Sequence, residues 1–175
     1  MEKFINASGH TLIGWSEIRQ GGLAQNAVVM DWIGGAVEAA SAGHNVVMTP
    51  MGDCYLDNYQ SKDHSTEPRA SSGFLPLDRV YSFEPIPANL APQYQWHILG
   101  AQGNLWTEYI PSLSHAEYMV FPRQCALAEV TWSSKSSRDW NDFTRRLQAQ
   151  YERFDQLDIN YRRNTPNLSE TNSAK

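Results

Sequence analysis

Four short apolar runs, separated by segments of helical character, constrain this chain more than any other feature. They cover residues 11–15, 27–32, 45–49 and 97–102, the last running on to Trp106. The run at 45–49 is valine-rich without polar alternation, the pattern of a parallel strand buried on both faces. Parallel strands need crossover connections, and the segments between the runs are long enough to supply them. Three tryptophans, Trp15, Trp32 and Trp106, close their runs, while Tyr55 and Asp57 follow the third and Glu108 lies two residues beyond Trp106. Aromatic walls with a few carboxylates, all delivered from strand ends, suit a sugar ring. Aromatic faces pack on the apolar face of a pyranose, and carboxylates take its hydroxyls. Read without that context, a strand-end tryptophan simply caps a core.

Composition narrows the partners. The chain has 175 residues, 41% hydrophobic and 19% charged, which fits one globular domain with a real core. A net charge of −5 argues against nucleic acid, whose phosphates need a basic stripe. The pairs Arg145-Arg146 and Arg162-Arg163 read as solvated helix and tail charges. No stretch has the length of a membrane span, and Met1-Glu2-Lys3 does not open a secretory signal, so the chain as written is expected to be cytoplasmic with no membrane partner. Cys54 and Cys125 make no disulfide framework, and the five histidines show no ligand spacing. Neither a metal nor another cofactor is expected.

Along the chain, residues 1–7 read as a helix with Gly9 just past its end, and 34–42 as a small-residue helix stopped at Gly43. Residues 51–95 read as a long irregular stretch, ordered by its aromatics. A helix is expected over 115–132, kinked or opened at Pro122. A last helix over 138–158, capped by Ser136 or Ser137, carries the stripe Trp140, Phe143, Leu147, Tyr151, Phe154 and Leu157. The polar tail from Asn164 reads as disordered. Strands alternating with helices, with functional residues at the strands' C-terminal ends, suggest a TIM-type (β/α) barrel, but four strands are half of the eight that close one.

The ordered set Leu12-Ile13-Gly14-Trp15, Val29-Met30-Asp31-Trp32, Gly43-His44-Asn45-Val46-Val47-Met48-Thr49-Pro50, Cys54-Tyr55-Leu56-Asp57 and Gly103-Asn104-Leu105-Trp106-Thr107-Glu108 resembles glycoside hydrolase family 20, the β-N-acetylhexosaminidases. Phe121-Pro122-Arg123 with Ala126-Leu127-Ala128-Glu129-Val130 looks like that family's last barrel helix. The resemblance spans residues 1–162 and implies the C-terminal half of the catalytic barrel. It implies a terminal β-linked N-acetylglucosamine or N-acetylgalactosamine as substrate, hydrolysed with help from its own acetamide. Trp15, Trp32 and Trp106 would wall the acetamido pocket and sugar face. Tyr55 would orient the acetamide carbonyl, and Asp57 and Glu108 would hold ring hydroxyls.

The departures matter as much. The family's Asp-Glu catalytic pair, which follows its fourth strand, has no counterpart, because no Asp-Glu dipeptide occurs in the sequence. The family's sugar-gripping arginine on an early strand is missing too. Ser16 and Asp31 are unusual, since an acid is common at the first position and a small residue at the second. Asp31 could be a replacement carboxylate, although a solvated strand-end acid is the plainer reading. Three expectations follow. The chain is a compact hydrolase using Asp31, Asp53, Asp57 or Glu108 as its acid, or a non-catalytic N-acetylhexosamine-binding half-barrel, or a truncated fragment. The free strand edges of a half-barrel further suggest a homodimer that closes an eight-stranded ring.

Overall fold

β-branched and apolar residues place the two inner strands of a four-stranded parallel sheet. The structure is a computed structural model and describes residues 1–163. After α1 (Glu2–Ala7) come β1 (Ile13–Trp15), β2 (Val28–Asp31), α2 (Ala36–Ser41) and β3 (Val46–Met48). The fourth strand of this sheet, β6 (Ile98–Ala101), pairs with β3, giving the order β1-β2-β3-β6. Pairing Ile13 with Val28 and Val29 with Val46 brings the C-terminal ends to one rim. Trp15, Trp32 and the segments after β3 and β6 all leave from it. Val29 and Val46 are fully buried and pack with Ala36, Ala39 and Ala40 of α2. The two edge strands leave Ile13 and Leu99 more than half exposed.

The stretch read as irregular contains structure of its own. It holds α3 (Met51–Cys54), β4 (Asn58–Tyr59), β5 (Ser71–Phe74) and α4 (Leu77–Ser82). β4 and β5 form a small parallel sheet, too short to show a period of two in the sequence. The fourth strand ends at Ala101 rather than continuing to Trp106, yet the chain stays extended. Asn104 bridges to Tyr55, with Leu56 N donating to Asn104 O at 2.7 Å and Asn104 N to Cys54 O at 2.7 Å.

The helix expected over 115–132 is two helices, α5 (Leu113–Val120) and α6 (Arg123–Trp132), separated at the cis Phe121–Pro122 peptide. Proline offers no N–H to continue the first helix. The last helix, α7 (Trp140–Gln156), starts later than expected, and its cap is Asp139, whose carboxylate accepts from Asp142 N at 2.7 Å, in place of Ser136 or Ser137. Phe143, Leu147 and Phe154 are buried, but Leu157 lies past the helix end and is exposed. Arg146 is bound to Glu129 and Asp142, and Arg162 to Glu67, so neither is merely a solvated charge. Among the described residues no helix is long and apolar enough to cross a membrane. The expected tail from Asn164 lies outside the described residues.

Candidate functional site

Trp15, Glu17, Trp32, Tyr55, Trp106 and Glu108 line one open cleft of about 480 Å³ at the C-terminal rim of the sheet. That volume falls within the usual range for small-ligand sites. Trp15, at the end of β1, and Trp106, in the segment after β6, come together with ring centroids 5.7 Å apart at 43°. Trp32 stacks with Tyr55 at 6.4 Å and 25°. Strands far apart in sequence therefore deliver two aromatic pairs to one place. Trp106 can reach it because the loop before it lies flat on α6: a Cβ on Gly103 would meet Gln124 at 2.8 Å and Leu56 at 3.0 Å. A side chain at Gly103 would have to displace the Gln124 amide and crowd Leu56, a close approach that only the folded chain reveals.

Burial first, and then the charges of Asp57 and Glu17, push the Tyr55 hydroxyl above the ordinary phenol value, against a lowering influence of the Trp106 side chain. The hydroxyl keeps its proton at neutral pH. Asp57, two residues on, is 7% exposed, close to Glu108 but not itself part of the cleft lining. Its Oδ1 is buried with no hydrogen-bond partner. Burial, with the nearby Glu108 charge, raises the Asp57 pKa, opposed by the Arg123 charge and backbone hydrogen bonding. A buried acceptor left open in this way costs free energy unless a ligand or water completes it.

The structure therefore brings Trp15, Trp32, Tyr55, Trp106 and Glu108 together, with Asp57 near Glu108. It does not bring Asp31 or Asp53 to them as free acids. Asp31 is 3% exposed, not solvated. Its Oδ1 accepts from Ser16 Oγ at 3.1 Å and its Oδ2 from Ala36 N at 3.2 Å. Ser16 Oγ in turn accepts Trp32 N at 3.2 Å, so the unusual Ser16–Asp31 pair fixes the backbone of a cleft wall. Asp53 is paired with Arg79 at 3.1 Å. Cys54 is buried, and burial first, then Asp53, pushes its thiol up to about 12, so it is no nucleophile.

Two residues were missed by sequence reasoning. Glu17 accepts the Trp32 indole N–H with both oxygens at 3.2 Å and faces the cleft. Its spacing of two from Trp15 on a strand-end segment was the available signal. Arg123 carries no role in the motif it belongs to, yet it is fully buried and bonded to the carbonyls on either side of Asp57. An arginine inside an otherwise apolar stretch after a proline was its signal.

A parallel sheet with crossover helices, its functional side chains gathered at the C-terminal rim, is the arrangement of part of a (β/α)-barrel domain. The chain belongs to glycosyl hydrolase family 20, matching its catalytic domain over residues 1–135. It is 44% identical over 163 residues to a β-hexosaminidase of Porphyromonas gingivalis, covering 91% of this chain and 21% of that protein. It is 34% identical over 152 residues to a β-N-acetylhexosaminidase of Cellulomonas fimi, covering 82% of this chain and 29% of that one. In three dimensions it resembles the Vibrio harveyi family 20 exo-β-N-acetylglucosaminidase solved with N-acetylglucosamine. The TM-score is 0.80 at 32% identity, over 93% of this chain and 26% of that one. The Streptomyces coelicolor family 20 β-N-acetylhexosaminidase gives a TM-score of 0.83 at 25% identity, over 97% and 35%. The chain thus spans between a fifth and about a third of the length of these relatives.

Proposed function

We propose that this chain supplies the substrate-gripping half of a β-N-acetylhexosaminidase site, taking a terminal β-linked N-acetylglucosamine or N-acetylgalactosamine. The observation that carries the reading is the convergence of Trp15, Trp32, Tyr55, Trp106 and Glu108 on one cleft, from the ends of four strands. The tryptophans pack the sugar face and the acetamido methyl. The Tyr55 hydroxyl donates to the acetamide carbonyl, whose oxygen bonds to the anomeric carbon as the glycosidic C–O bond breaks. Asp57 and Glu108 accept ring hydroxyls, Asp57 through its open Oδ1. The proton for the leaving oxygen comes from an acid outside this set, since no Asp-Glu pair is present. Hydrolysis of a chromogenic N-acetyl-β-glucosaminide by purified chain, with alanine at Tyr55, Asp57 and Glu108, tests this. Turnover that falls in all three variants supports a hydrolase, and turnover indifferent to all three places the activity elsewhere.

A second reading, a non-catalytic N-acetylhexosamine-binding module, is favoured by the engagement of Asp31 and Asp53 in other contacts. Absence of turnover together with binding of an N-acetylglucosamine-derived thiazoline would select it. The free edges of β1 and β6, with exposed Ile13 and Leu99, favour pairing with a second copy of the chain. The unpaired Cys54 and Cys125 agree with a reducing cytoplasmic setting.

A further inference from the structure

The least expected side chain near the cleft is a fully buried guanidinium. Arg123, at the first turn of α6, has no exposed surface. Its Nη1 donates to Asn58 O at 3.0 Å and Leu75 O at 2.9 Å, and its Nη2 to Leu56 O at 2.5 Å. Nε and Nη2 also reach Met119 O, at 3.2 and 2.5 Å. Leu56 and Asn58 flank Asp57. One side chain thus ties the carbonyls on both sides of the open carboxylate to β5's exit and to the end of α5.

We propose that Arg123 is a positioning residue of the sugar site, holding the backbone on both sides of Asp57 and with it the placement of the Asp57 carboxylate beside Glu108. The inference rests on the sugar-binding reading above. A planar fork of five donors meets several carbonyls at once, which a lysine ammonium cannot reproduce in the same geometry. Burying a cation without a full set of partners is costly, so so complete an enclosure marks a fixed requirement of the fold around Asp57.

Charge adds a second effect with a separate readout. Asp57 faces Glu108 from the segment after β6 and Arg123 from α6. Arg123 faces Glu67, Asp57, Arg162 and Tyr118. Burial lowers the Arg123 pKa to about 9, which leaves it charged at neutral pH. Its charge opposes the burial and the Glu108 charge that together raise Asp57. Loss of the cation therefore moves Asp57 further up, and sugar binding is lost at a higher pH as pH falls.

The test is a pH series of thiazoline titrations on the wild-type chain, Arg123→Lys and Arg123→Gln, with circular dichroism to establish folding. Arg123→Lys keeps the charge and loses the fork. Its affinity is expected to fall about tenfold with the acid limb unmoved. Arg123→Gln is expected to move that limb to higher pH. A lysine variant with wild-type affinity overturns the positioning role, and an unmoved limb in the glutamine variant overturns the charge effect. If Arg123→Gln does not fold, Arg123→Lys carries the decision. If the wild type binds no thiazoline at any pH, the sugar reading fails by itself. Carboxyl carbon NMR of Asp57 in wild type and Arg123→Gln then still reports whether the cation sets its titration.

Discussion

Asp57 is where function and stability pull apart most clearly. Its pKa in the fold is raised, so folding favours its neutral form. The stabilisation from that form is complete below the unfolded-state value and is lost as pH rises through the folded value. At neutral pH the ionised carboxylate is thus a burden on the fold. Asp57→Asn is expected to raise thermal stability at pH 7, by on the order of 1 kcal/mol, while abolishing thiazoline binding. Thermal melts at pH 3 and pH 7 check the sign: the gain should shrink at the lower pH. Asp31 has a structural task, its oxygens accepting from Ser16 Oγ and Ala36 N. Asp31→Ala leaves those groups unsatisfied and is expected to cost about 2 kcal/mol in a denaturant titration. The tryptophans and Tyr55 were legible in the sequence because strand ends announce them. The job of Asp31 was not, because Ser16 is brought to it only by the β1–β2 pairing and Ala36 N only by the turn from β2 into α2.

Among the elements, the strands were legible and the connections were not. Valine content and tryptophan ends located β1, β2, β3 and β6 to within a few residues. The β4–β5 sheet and α4 escaped notice, because they are set by contacts such as Arg123 to the carbonyls of Asn58 and Leu75 rather than by any local pattern. α7 was legible as a stripe, but its start was decided by Asp139, whose capping bond outcompeted the serines upstream. Its docking rests on Glu129 of α6, which accepts from Tyr81 at 2.8 Å and from Arg146 with both oxygens, at 2.8 and 2.6 Å. Burial first, then Glu129, pushes the Tyr81 hydroxyl up to about 12. Glu129→Ala strips α4 and α7 of a shared acceptor and is expected to cost about 1–2 kcal/mol. Phe143→Ala, which removes a ring stacked on Tyr81 at 4.6 Å, is expected to cost more, about 3–4 kcal/mol. Chemical denaturation of the two variants measures the order.

At the scale of the whole molecule, the sheet has one face covered by helices and two strand edges open to pairing. An exposed β1 or β6 edge is a template for another strand. Sedimentation at micromolar concentration is expected to show a dimer, and a stable monomer would contradict closure by a second copy. Family membership was legible because motifs occur in order along the chain, while the cleft itself became visible only when Trp15 and Trp106 met across the rim. Calorimetric titration of the chain with an N-acetylglucosamine-derived thiazoline asks whether that cleft holds the sugar. One saturable site per chain is expected, weakened about tenfold or more by Tyr55→Phe and lost in Trp106→Ala. Absence of saturable binding, or affinity unchanged in both folded variants, would contradict a sugar-gripping role for these residues.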